Sequence, residues 1–320
     1  MTHHLKTIVL ALMAAICAAC EHKPLIQPNG EYARIRIEFD WQDVNQNEIP
    51  EQMTLYFYDN EGNTVVRDVA TQLDDHYVIL PRSIYTLIAH NREEESTVIN
   101  PTVPQKHTIK LLEAPDDLVG TIFGKTTVHY LAPTDYPSPL SKTPHRVVAA
   151  EITTINLCET TEDTVITIRP RRITAQYDVI IKNLNIDRTG TKAWAGAITG
   201  MSATLMPQPT LHTDRCVASA DAGLTTIPFP INWPETSTTA TATFFTFGSP
   251  NDQQSHLLKF YIWSDAQSRL SRTYDVTDII RQAPNPMHVE IIIDFNHEGT
   301  GQPFSPDVDS WEDIEETIIA

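Results

Sequence analysis

Basic residues and glycine are scarce in this chain: 23 Lys plus Arg stand against 41 Asp plus Glu, a formal net charge of −18, and 11 Gly stand against 22 Pro. The shortage of cations excludes a nucleic-acid or anionic-lipid surface as the main partner, because both recruit phosphate through a basic patch. Helical periodicity is missing too, since no useful window places apolar residues at i, i+3, i+4 and i+7. No stretch approaches the ~18 apolar residues of a transmembrane helix. There is no His-Glu-x-x-His, Cys-x-x-Cys, Gly-x-Ser-x-Gly or Gly-rich phosphate loop. With those metal, nucleophile and nucleotide signatures absent, the reading is of a non-enzyme with no cofactor and no metal. What is present, 320 residues with 41% hydrophobic, rules out a single small domain and gives two halves enough apolar material for a core each.

The first twenty residues are an address. A short polar start containing Lys6 leads into an apolar run from Ile8 to Ile16 and then small residues, the pattern of a secretory signal. The ending Ile16-Cys-Ala-Ala-Cys20 resembles the lipobox of bacterial lipoproteins, with Cys17 where Leu is usual. By that resemblance residues 1–19 are removed and Cys20 carries the lipid, which tethers the mature chain to a membrane. The alternative is a plain secretory signal cleaved after an Ala-x-Ala-like site. Cys158 and Cys216 remain; an oxidising compartment would permit them to pair, and burial as free thiols fits equally, since Cys158 ends an apolar run.

The rest reads as strands. Ala33–Phe39 alternates apolar and polar residues, Met53–Tyr58 repeats the pattern, and Asp59-Asn-Glu-Gly-Asn63 supplies the turn of a hairpin to Val65-Val66. Further runs lie at 77–80, 84–89, 108–112, 120–130, 147–157 and 164–169. A fresh series opens after Pro170: from Ile173 to Ile181 every second residue suits a core, followed by runs at 194–205, 238–247, 257–263 and 287–295. Residues 275–282 fit one helical turn, 309–317 are ambiguous, and the Pro-rich stretch 131–145 reads as a loop of the first domain. Short strands at this spacing make an all-β architecture of two tandem β-sandwich domains, 20–170 and 171–320.

Candidate chemistry is thin. Asp40, Asp43, Asn45, Asn47 and Glu48 form an oxygen-rich loop open to Ca²⁺ or, more simply, to water. Glu93-Glu-Glu95 reads as an exposed loop tip. Trp41, Trp194, Trp233, Trp263 and Trp311 would either stack on sugar rings or pack in cores. Arg169-Pro-Arg-Arg172 is a trypsin-like processing site or a structural linker.

Several segments together resemble a family of lipid-anchored surface proteins of Bacteroides and relatives, a domain-of-unknown-function family related in pattern to fimbrillins and minor-fimbria anchor subunits. They are Ile37–Trp41 followed by Ile49–Tyr58, Leu80–Tyr85 with His90-Asn91, Ile198–Ser202, Phe244–Gly248, Tyr274–Thr277 and Trp311–Ile314. Gln52 and Ser83 stand where the family has Gly. The resemblance implies transthyretin-like or immunoglobulin-like sandwiches displayed on the outer membrane at the cell surface, and no catalytic residues. It further implies a structural or adhesive role, as a fimbrial anchor or accessory subunit meeting fimbrial subunits or other surface proteins through β-strand contacts. Only residues 21–32 separate Cys20 from the first strand, which leaves no room for a removable pro-segment and favours a tethered base or cap. Residues 308–319, set off by Gly299, Gly301, Pro303 and Pro306, are a candidate terminal edge strand, either between molecules or within their own domain. The second reading of function is a glycan-binding surface lipoprotein of a polysaccharide uptake system, which needs aromatic side chains side by side on an exposed face.

Overall fold

Alternating burial makes the strands. In β1 (Tyr32–Phe39) the residues Ala33, Ile35 and Ile37 are buried while Arg34 and Arg36 turn outward. The computed structural model describes residues 31–91, 95–115, 139–150, 153–159, 164–185, 193–207, 223–251, 253–263 and 269–295. The first half continues with β2 (Met53–Tyr58), β3 (Thr64–Ala70), β4 (His76–Pro81), β5 (Ile84–His90), β6 (Thr97–Asn100), β7 (Thr108–Leu111), β8 (Val148–Ala150), β9 (Thr153–Asn156), β10 (Thr164–Ile168) and β11 (Pro170–Arg172). The second half runs β12 (Ala175–Lys182), β13 (Ala193–Ser202), β14 (Thr204–Leu205), β15 (Leu224–Pro230), β16 (Ala240–Thr246), β17 (Leu257–Trp263), β18 (Arg269–Asp275), the short helix α1 (Thr277–Arg281) and β19 (His288–Asp294).

The two halves use one plan. In the first, β1 lies between β10, parallel to it, and β4, antiparallel; opposite, β3, β2, β5 and β9 follow one another in a six-stranded sheet with β8 and β11. In the second, β12 lies between β19, again parallel, and antiparallel β16; opposite run β15, β13, β17 and β18. The chain therefore is all-β, as its alternation predicts, and the same strand order is laid down twice. The 147–157 run is split into β8 and β9, both paired to β5.

The interiors differ. Met53, Leu55 and Phe57 of β2 face the first core, yet Thr54, Tyr56 and Tyr58 on its other side are buried as well. A small third sheet, β14-β7-β6, is the reason, because Ile99 and His107 from that layer pack on Tyr56 and Tyr58. The second core is built on an aromatic stack, Tyr177 on Phe244 and Phe244 on Phe229 with centroids 5.6 and 4.0 Å apart. The Phe229 ring lies over Gly196, where a Cβ would collide with it. Ile109, Leu111, Val147 and Ala149, all before Pro170, pack with this second cluster. β14 continues β13 into the third sheet, so the halves share a layer.

Candidate functional site

The sequence-stated residues divide sharply. Cys20, Cys216, Trp311 and the candidate strand 308–319 lie outside the described residues, as does the 120–130 run. Cys158 is a free thiol on an exposed turn, which corrects the expectation of burial: Leu157 is the last inward-facing residue, and the chain turns away with the Cys158 N–H donating to Asn156 Oδ1 at 3.0 Å. Of the tryptophans, Trp41 stacks on Phe39, and Trp194 and Trp233 meet edge to face against the second core, each indole N–H donating to a carbonyl. These three are packing residues.

The acidic loop after β1 meets the arginine cluster. Asp43 receives Arg169 and Arg171, both at 2.8 Å, and Glu48 faces Arg146 at 3.4 Å and Arg172 at 3.7 Å. Arg146 and Arg172 also lie over the ring of Phe245 on β16, and Arg172 donates to the Met287 carbonyl. The carboxylates considered for Ca²⁺ thus face guanidinium groups, and the arginines form a linker joining the halves. Among the described residues no group of His, Cys, Asp and Glu could hold a metal ion.

Sequence reasoning missed a buried relay. His90 Nδ1 faces the Asn91 carbonyl at 2.8 Å, which can only accept, so this nitrogen carries the proton. His90 Nε2 then accepts from His107 Nε2 at 3.0 Å, and His107 Nδ1 accepts the Tyr58 hydroxyl proton at 2.5 Å. Burial drives both imidazoles toward neutrality, to about 4 for His90, where Arg67 adds to the effect, and about 3 for His107. Burial likewise raises Tyr58 to about 12. The relay holds β2, β5 and the third sheet together.

The outer faces of the two matching three-stranded sheets, β10-β1-β4 and β16-β12-β19, contrast. On the first, Tyr32, Tyr77, Ile79 and Val165 are exposed, Arg34 lies 4.0 Å over the Tyr77 ring, and Arg36 sits between Tyr77 and Val165 in register. On the second, Asp178 gathers Thr243 at 2.6 Å, Gln176 at 2.9 Å and His288 at 2.5 Å. Partial burial pushes the Asp178 carboxyl up, but those three hydrogen bonds outweigh it and hold it below the usual range. Among the described residues the second face exposes one large apolar residue, Ile292, whereas the first exposes four around Arg34 and the Arg36–Glu38 pair.

Two second-half segments that carried the resemblance, and the residue just after a third, converge on one buried histidine. His256 turns Nδ1 to the Thr199 carbonyl at 3.2 Å, Nε2 to Ser249 Oγ at 2.9 Å, and its own N–H to Thr277 Oγ1. Gly200, at φ +76°, lets the 253–256 stretch close down, since a Cβ there would meet the Ser255 carbonyl. Beside His256 opens a cleft of about 260 Å³.

Residues 19–220 match the family described as a domain of unknown function (DUF5119). The chain belongs to that family. No curated protein matches it in sequence. Among solved structures it is similar to a candidate adhesin from Bacteroides ovatus, with 16% identity, a TM-score of 0.58 and coverage of 84% of this chain and 94% of that one. It is also similar to candidate polysaccharide-binding proteins from Bacteroides thetaiotaomicron, at 13% identity and a TM-score of 0.52, covering 81% and 90%. The fimbrial anchor protein Mfa2 from Porphyromonas gingivalis follows at 14% identity and a TM-score of 0.48, covering 82% and 90%. At such identities the DUF5119 chain shares a fold with the first two.

Proposed function

We propose that this DUF5119 protein is a surface lipoprotein, held in the outer membrane by acyl chains on Cys20, that works in adhesion or fimbrial assembly by touching other proteins. The observation that carries this reading is the first three-stranded sheet, whose outer face exposes Tyr32, Tyr77, Ile79 and Val165 and whose strands β4 and β10, among the described residues, each pair on one side only. Exposed aromatic and aliphatic side chains set around Arg34 and Arg36, next to such edges, are the geometry of a protein contact or of strand addition. We take the working units to be 20–170 and 171–320, joined stiffly by the arginine linker and the shared third sheet, so that a contact at one half is borne by both. The adhesin-type neighbours share this fold and accord with the reading.

Mass spectrometry of the mature chain with membrane fractionation tests the anchor. A lipidated N-terminal Cys20 in the outer-membrane fraction, and release of a Cys20→Ala variant, are expected; an unmodified soluble wild-type chain would overturn it. Removing residues 305–320 tests the terminal strand: a stable fold with lost assembly supports an intermolecular strand, and loss of soluble expression supports a strand within its own domain.

A further inference from the structure

The cleft beside His256 lies at the end of the second sandwich where β12 and β19 begin and β16 ends. Its volume of about 260 Å³ falls just below the usual range for drug-sized ligands, the scale of a single ring. Its polar groups come from two directions. From the loop after β16, Asn251 ties its Oδ1 to the Gln253 N–H at 2.9 Å, which leaves its amide N–H groups to donate; Gln254 ties its Nε2 to the Ser255 carbonyl at 3.0 Å, which leaves Oε1 to accept. From α1, Arg281 supplies a fixed positive charge that reaches His256, and its partner Asp278 at 3.2 Å is a surface pair that a ligand anion can displace cheaply. Among the described residues the other nearby carboxylate, Asp275, is occupied in accepting the Thr277 N–H at 2.9 Å. Pro250 and Pro286 give the cleft apolar walls.

A donor, an acceptor and a guanidinium around an apolar-walled, single-ring space match one chemistry. A sugar ring presents neighbouring hydroxyls at its rim and C–H groups on its faces, and a carboxylate on that ring answers the arginine. We propose that this cleft binds a carboxylated monosaccharide, as a single unit or the terminal unit of a glycan, with Arg281 on the carboxylate and Asn251 and Gln254 on the hydroxyls. The ring is held by amides and guanidinium and not by indole stacking, which fits the packing roles of Trp41, Trp194 and Trp233. The inference stands on the second sandwich alone and does not depend on the contacts proposed for the first.

Calorimetric titration and ligand-observed NMR on the full chain decide it, with D-glucuronate, D-galacturonate and N-acetylneuraminate as probes and D-glucose and acetate as controls. At least one acidic sugar is expected to bind, tenfold or more tighter than D-glucose and acetate. Arg281→Gln is expected to abolish that preference, and Asn251→Ala to weaken binding of the acidic sugar at least threefold, both with an unchanged melting temperature. Binding of none of the three, equal binding of D-glucose, displacement by acetate at equal affinity, or an indifferent Arg281→Gln would each overturn the assignment.

Discussion

One strand order, laid down twice, has been put to different uses by the side chains it carries. The first sandwich is covered on one sheet by a third layer and, on the outer face of its other sheet, leaves Tyr77, Ile79 and Val165 exposed around Arg34 and Arg36. The second fills its core with the Tyr177, Phe244 and Phe229 stack, closes its equivalent outer face around Asp178, and keeps a polar cleft at one end. Topology thus sets where faces and edges lie, and the residues on them decide which can meet a partner. A protein that acts by contact needs a face with exposed apolar side chains, and here the larger such face of the two belongs to the half nearer the proposed anchor.

The largest test of this contrast is whether the halves stand or fall together. Phe57→Ala in the first core and Phe244→Ala in the second should each cost about 4 kcal/mol. Because the third sheet and the arginine linker join the halves, both variants should lower a single unfolding transition followed by circular dichroism; two separated transitions would show the cores to be independent. Gly196→Ala should cost about 3 kcal/mol by driving a Cβ into the Phe229 ring, whereas Gly223→Ala, whose Cβ would find only Ala203 at 4.0 Å, should be nearly neutral in the same melt.

Acid should strike the first half through its relay. His90 and His107 are held below the ordinary histidine value near 6.5, so the folded chain binds fewer protons than the unfolded chain between that value and about 4. Stability is therefore full above about pH 6.5 and is lost as pH falls, by about 3 kcal/mol for His90 alone at the bottom of the window. Melting midpoints from pH 7 to 4 should show this fall, and His90→Gln should flatten it. His107 stays buried in that variant and His256 is also lowered by burial, so both keep a slope of the same sign and the variant flattens the curve without levelling it. A smaller effect, about 1 kcal/mol, is expected for Glu48→Gln, which leaves Arg146 and Arg172 without their shared carboxylate.

The strands that could be read in the chain were those with one wet face. β1, β12 and β19 alternate cleanly because water lies on one side of them. β15 was missed because Pro228 and Pro230 speak against a strand; it ends its sheet, laddered to β13 and bridged on its other side at Thr226 to Leu140, and such an edge tolerates a missing donor. β6 and β18 are short or weakly alternating and were missed as well. The burial of Thr54, Tyr56 and Tyr58 could not be foreseen, since it depends on a third sheet whose strands come from residues 97–111 and 204–205. The relay and the cleft share this difficulty. Their residues are polar, separate in sequence and match no spacing rule, so only the folded chain brings His90 to His107, or Asn251 and Gln254 to Arg281.

The exposed face of the first sheet is the centre of the proposal, and a photo-crosslinking side chain placed there reads it directly in living cells. With the probe at Ile79, adducts to other surface or fimbrial proteins are predicted, while the same probe at Thr243, on the matching face of the second sandwich, should give none. Adducts at Thr243 with none at Ile79, or none at either position, would contradict it.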